Sequence, residues 1–159
     1  MPDLSDLIAP QTARRPEEVL ELVSLALSDG DLEAALAQYE RGALLQPWAR
    51  EAGRDYDSVR DTLIRLMELR LPLSARVAAV LRTGDLALVL GERHMAGTGP
   101  GCQPIRLSGL GSTMVRRQPD GAWCIVAEAW CLDEPGTGHT QLTPGPAGAT
   151  SQVIPPRFP

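Results

Sequence analysis

A chain of 159 residues, 43% of them hydrophobic, can bury one core but scarcely two, so a single domain is expected. Its 15 Lys and Arg against 20 Asp and Glu give a formal net charge of -5, and no basic cluster forms a face able to track phosphates, which argues against a nucleic-acid partner. Cys102, Cys124 and Cys131 fit neither a CxxC pair nor a zinc set with His94 and His139, and there is neither a basic-then-apolar leader nor an apolar run of about 18 residues; a cytoplasmic protein with reduced thiols, no metal and no membrane span is expected.

Residues 1–15 are expected to be a mobile segment. Pro16, Glu17 and Glu18 suit the first turn of a helix, where a missing N–H costs nothing and carboxylates meet the positive end of the dipole. Val19, Leu22, Val23, Ala26 and Leu27 then share one face. In "SDGDLEAALAQYE" Gly30 can end this helix in the left-handed conformation and Asp31 can cap the next, over about 32–40, with Leu32, Ala35, Leu36 and Tyr39 on one stripe. Gly42 and "ALLQPW" read as a short extended piece. A third helix is expected from Asp57 or Ser58 to before Pro72, burying Val59, Leu63, Leu66 and Met67.

From Leu73 the period changes to two. "LSARVAAVLR", "DLALVLGERHMAG", "QPIRLSGLGSTMVRRQ" and "AWCIVAEAWCL" read as strands of an antiparallel meander, separated by Thr83-Gly84, "GTGPGC" and Pro119-Asp120-Gly121. "GTGPGC" is followed by no helix and no Lys-Ser/Thr, so it is a connection and not a phosphate loop. Helices gathered before strands argue an α+β fold, with three N-terminal helices packed on one face of a strongly curved antiparallel sheet. Residues 133–159, rich in Pro, Gly and Thr, read as a disordered tail that includes His139.

The ordered set of "SDGDLEAALAQYE", "LPLSARVAAVLRTGDLALVLGER", "VRRQPDGAW" and "IVAEAW" resembles the SnoaL-like branch of the nuclear-transport-factor-like superfamily over residues 16–132. The resemblance implies a cone-shaped domain whose bent sheet wraps a pocket closed by the helices. Members include ketosteroid isomerase, polyketide cyclases and limonene epoxide hydrolase, together with pockets of no known chemistry, so the likeness implies a pocket and not a particular reaction.

Glu128 is the most anomalous side chain, a carboxylate inside the apolar "CIVAEAWC". The resemblance gives a carboxylate near this position an acid or base role; otherwise Glu128 points outward or pairs structurally. Arg93 in "LVLGERHM" is its expected partner, at a place where the resemblance to limonene epoxide hydrolase has an Arg followed two residues later by a second carboxylate. Met95 stands there instead, which argues against epoxide opening by that route. Strand parity puts Ala87, Val89, Gly91, Arg93 and Met95 on one face, expected to line the cavity, and Leu86, Leu88, Leu90, Glu92 and His94 on the other; a slip of one residue exchanges Arg93 for His94, a group able to move protons near neutrality.

Gln46 occupies the extended piece where ketosteroid isomerase carries its base, and an amide can orient water or a carbonyl but not accept a proton. Tyr39, Trp48, Met67, Thr113 and Trp130 are candidate cavity walls or plain core. The expected activity is cofactor-free acid–base chemistry, such as cyclisation, isomerisation or epoxide opening, on a small apolar molecule such as a polyketide- or terpene-like one. Glu128 would carry the proton, Arg93 hold charge, and Gln46 or Tyr39 position water or substrate. The alternative is a non-catalytic binding or assembly module. A homodimer through Leu86, Leu88 and Leu90 is expected for either.

Overall fold

The computed structural model describes residues 10–48, 58–99 and 101–132; the expected tail and residues 1–9 lie outside that range. The elements run α1 (Glu18–Asp29), α2 (Leu32–Leu36), β1 (Tyr39–Trp48), α3 (Val59–Glu68), β2 (Leu73–Thr83), β3 (Leu86–Thr98), β4 (Pro104–Arg117) and β5 (Trp123–Leu132). Among the described residues no helix is long and apolar enough to cross a membrane.

Local chemistry explains the helix ends. Gly30 adopts φ 71° and ψ 20°, and the amides of Gly30 and Asp31 return to the Leu27 and Ala26 carbonyls at 3.3 and 2.9 Å, closing α1 with a Schellman turn. Asp31 then accepts the Ala34 N–H at 2.9 Å to open α2. Ser58 caps α3 by accepting the Asp61 N–H at 3.1 Å while its hydroxyl donates to Asp61 Oδ2 at 2.6 Å.

Two expectations are corrected. The second helix stops at Leu36, not near residue 40, because Tyr39 already belongs to β1. The "short extended piece" is a ten-residue strand, and it runs parallel to β5, so the sheet is mixed, in the order β1-β5-β4-β3-β2. Its three other pairings are antiparallel, as the meander required. Within the segment expected to be mobile, Ala13 is fully buried and its carbonyl accepts the Trp123 N–H at 2.9 Å, which ties the chain to β5 before α1 begins.

One face of the sheet carries the core. Val89, Met95, Leu107, Val115, Ile125 and Trp130 meet Leu20, Val23 and Leu27 of α1 and Leu63 and Leu66 of α3. Each fully buried aliphatic side chain contributes about 1.5–3 kcal/mol, so these two helices are held mainly by this face and not by their own propensity. The β3 parity is as read from the sequence: Ala87, Val89, Gly91, Arg93 and Met95 are buried, and the alternate residues turn outward.

Gly91 lies under Leu20 of α1 and beside Arg76 of β2. A Cβ at Gly91 would stand 2.8 Å from Leu20 Cδ1 and 2.9 Å from the Arg76 carbonyl oxygen, and the second neighbour is backbone that cannot swing away. Gly91→Ala is therefore expected to lower unfolding free energy by about 1–3 kcal/mol, read as a reduced urea midpoint with unchanged m-value. A midpoint equal to wild type would show that α1 does not seat here.

Candidate functional site

The buried face of the sheet holds one polar cluster. Glu128, 3% exposed, accepts hydrogen bonds at both carboxylate oxygens. Arg93 Nη2 and the Thr113 hydroxyl at 3.0 Å donate to Oε1, and the Tyr39 hydroxyl donates to Oε2 at 2.7 Å. Arg93 Nη2 also donates to Thr113 Oγ1 at 2.9 Å. The Arg93 guanidinium carbon lies 4.7 Å from the centroid of the Trp130 ring, so the cation is held against an aromatic face as well as a carboxylate.

Four strands supply these groups. Arg93 stands on β3 opposite Gly109, Thr113 on β4 pairs with Glu128 on β5, and Tyr39 opens β1 beside Ile125. The Arg93 side chain must pass over β4 to reach Glu128. It does so above Gly111, where a Cβ would collide with Arg93 Nη1. Sequence reasoning missed Gly111; the available signal was the alternation Gly109-Leu110-Gly111, which strips side chains from one face of β4.

Of the sequence-derived candidates, Glu128, Arg93, Thr113, Tyr39 and Trp130 come together, and two leave the site. His94 projects from the opposite face, with its side chain 53% exposed and Nε2 at 3.8 Å from Glu92. The register that pairs Arg93 with Gly109 and His94 with Ser108 settles which of the two faces inward. Gln46 pairs with Ala129, one step beyond the buried Leu45 and Glu128 pair, and so it lines an outer groove of about 220 Å³ with Leu44, Leu88 and Met114. Glu128 also borders this groove, although its side chain is fully buried. Met95, 1% exposed, lies between Leu73 and Leu107 at the same side of the sheet as Arg93, and Met67 is half-buried against the core. Trp48 ends β1 opposite Leu132; its side chain lies outside the described residues.

Tyr39 also borders the exterior. A groove of about 460 Å³ is bounded by Leu36, Tyr39, Gly42, Ala43, Ser58 and Val59, between β1 and the start of α3. Among the described residues no group of three or more His, Cys, Asp or Glu is placed to hold a metal ion.

No protein-family model matches the sequence, and no curated protein matches it. Solved structures do match its fold. A ketosteroid isomerase-like protein from Erwinia carotovora atroseptica is 17% identical with a TM-score of 0.59, covering 75% of this chain and 94% of that one. An NTF2-like protein of unknown function from Pseudomonas putida is 22% identical with a TM-score of 0.52, covering 72% and 82%. A candidate SnoaL-like polyketide cyclase from Shewanella denitrificans is 19% identical with a TM-score of 0.52, covering 75% and 92%. The chain therefore has the cone-shaped α+β fold of these proteins, with an open, mixed five-stranded sheet.

Burial pushes the Tyr39 phenol well above its ordinary range, the Glu128 charge and hydrogen bond add to this, and Arg93 opposes it. A raised folded-state value means that the stabilisation is complete below about pH 10, the unfolded tyrosine value, and is lost as pH climbs beyond it. Wild type is thus expected to lose stability above about pH 10 more steeply than Tyr39→Phe. The Tyr39 share of the tyrosinate absorbance, obtained as wild type minus Tyr39→Phe, should appear only as the chain unfolds. A share that rises at ordinary tyrosine pH in the folded protein would mean that Tyr39 is not buried against Glu128.

Proposed function

We propose that this chain is a small-molecule enzyme performing cofactor-free acid–base chemistry on a largely apolar, polyketide- or terpene-like substrate, with Glu128 as the group that accepts and returns the proton. The observation that carries this reading is a buried carboxylate hydrogen-bonded to Tyr39, a residue that also borders a surface groove. Arg93 and the Thr113 hydroxyl both donate to Oε1, which leaves Oε2 to the Tyr39 hydroxyl. Tyr39 links it to the substrate: the phenol oxygen takes a proton as its own passes to Oε2, and the reverse transfer returns it.

One base without a second acid suits reactions that give back the proton they take. Isomerisation and ring closure next to a carbonyl do so. Epoxide opening needs a proton removed from water while another is supplied to the epoxide oxygen, and Met95 provides no second carboxylate for that. An isomerase or cyclase in the cytoplasm, with its three thiols reduced, is the form this reading takes.

One observation favours a second reading. Glu128 already receives three hydrogen bonds from the protein, which is also what a purely structural ion pair in a non-catalytic binding or assembly module requires. The two readings separate on Glu128→Gln, assayed against polycyclic ketones and polyketide-like aromatics. The enzyme reading expects turnover to fall by about 10²–10⁴-fold with cooperative unfolding retained. Equal ligand-induced stabilisation of both proteins without product supports the module. Arg93→Met, which strands the carboxylate, is expected to cost about 3–5 kcal/mol in stability, read by urea unfolding; a smaller loss would mean that Glu128 is not held as a buried charge.

For either reading the partner is a second copy of the chain. Leu81, Leu88, Met114, Ala127 and Leu44 form one cross-strand row over all five strands of the outer face, and Leu81, Met114 and Leu44 are 57%, 44% and 48% exposed. An uncharged apolar row is complementary to itself, as a two-fold interface requires. Wild type is expected to sediment as a dimer and Met114→Glu as a folded monomer; a monomeric wild type would remove the proposal.

A further inference from the structure

β2 forms one edge of the sheet, bonded to β3 alone, and it is thinly covered. Val77 and Val80 pair with Gly91 and Val89 and so face the buried side, yet Val77 is only half-buried and Val80 is 38% exposed. α1 seats Leu20 over Gly91 and leaves the strand beyond it open. The result is a second groove of about 460 Å³, with Glu17, Leu20 and Glu21 on the helix side and Ala75, Val77 and Val80 on the strand side. The outward N–H and C=O groups of an edge strand accept a further strand unless charge, proline or a bulge prevents it. Residues 77–81 carry no charge between Arg76 and Arg82, and the pairing with β3 shifts register at Ala78. The edge is therefore open to a short extended piece beyond Ala78 and closed to a long one.

Two stretches at the chain ends lie outside the described residues, and charge separates them as occupants. Residues 1–9 bring Asp3 and Asp6 with no Lys or Arg, and the groove repels them: Arg15 holds Glu17 and Glu18, but Glu21 has no ion pair among the described residues. Residues 133–159 bring Arg157 as their one Arg, with no Lys. Their large apolar residues gather beside it, since Val153, Ile154 and Phe158 fall within 153–158 and Leu142 stands alone in 133–151. Val153 and Ile154 are β-branched and suit a strand, and Pro155 and Pro156 lack the N–H needed to continue one, so the piece is as short as the edge requires. Reach is sufficient. Trp130 stands across Gly111 and Gly91 from Val77, three strand spacings or about 14 Å, whereas residues 133–152 can span up to roughly 65 Å. We infer that the groove between α1 and β2 holds residues 153–158 of the same chain, with Val153 and Ile154 added to the β2 edge beyond Ala78 and Arg157 beside Glu21. This docking is independent of the acid–base reading of the Glu128 cluster.

The test places 4-fluorophenylalanine at Phe158, the one Phe of the sequence, so that the full chain gives a single ¹⁹F resonance. The expected result is a resonance displaced from that of the free peptide of residues 151–159, at a position independent of protein concentration, which returns to the peptide value in Val80→Asp and in Ile154→Asp. Ile154→Asp alters no residue of the sheet, so its effect does not come from unfolding. Arg157→Glu is expected to lower the docked-to-free ratio roughly 2–5-fold, the worth of an exposed ion pair, and Glu21→Arg in the same chain to restore it. The inference is overturned if the wild-type resonance coincides with that of the peptide, or if the displacement survives Val80→Asp and disappears in Met114→Glu, which would put the segment on the outer face. A displacement that grows with protein concentration also overturns it, by assigning the segment to a second copy. A ratio unchanged in Arg157→Glu overturns the placement beside Glu21.

Discussion

One ion pair has to cross a strand, and the buried face of this protein is arranged around that crossing. Arg93 and Glu128 stand on β3 and β5 with β4 between them, a separation of roughly 10 Å at ordinary strand spacing. Only a long side chain spans it, and only a strand without a side chain at Gly111 leaves the path open. A lysine would deliver a single point charge. The guanidinium fork lets one nitrogen serve Glu128 and Thr113 while the other stays directed elsewhere. The pair also fixes its neighbours. Thr113 bridges both charges from β4, Tyr39 reaches them from β1, and Trp130 supports the cation from below, so the sheet's register and the site's geometry are one constraint.

Much of this architecture was legible because it is local. The stop, turn and restart at Gly30 and Asp31, the Ser58 cap and the three strand connections each follow from residues within a few positions of one another. What was not legible depends on distant pairing. β1 bonds only to β5, some eighty residues later, and nothing within "YERGALLQPW" announces a parallel partner. Taken as the end of a helix, Tyr39 was a cavity wall of uncertain direction; as the first residue of β1 it donates to Glu128. The face of Gln46 was equally hidden, since it depends on the irregular register between β1 and β5 around Gly42, which sits at φ 81°.

Glu128 shows why parity alone fails. Trp123 and Ile125 are buried, and simple alternation from them would turn Glu128 outward. The register of β4 against β5 shifts between Met114 and Val115, so that Val115 faces Ile125 while Met114 faces Ala127. That extra residue reverses the alternation, and Glu128 and Trp130 point inward with Ile125. The apolar composition around Glu128 marked it as unusual, but the bulge is what makes it buried. β3 carries no such shift against β4, which is why its two faces could be assigned from sequence and why Arg93, not His94, joins the cluster.

The single carboxylate also limits what the site can be asked to do. A second acid at the Met95 position would sit two residues along the same face from Arg93, but the buried Met95 stands there between Leu73 and Leu107. With one cation and one anion the cluster is neutral, and any reaction it supports must keep the buried charge close to zero at every step. The buried charge balance that makes the pair a sound structural element is thus also the limit on any chemistry placed beside it.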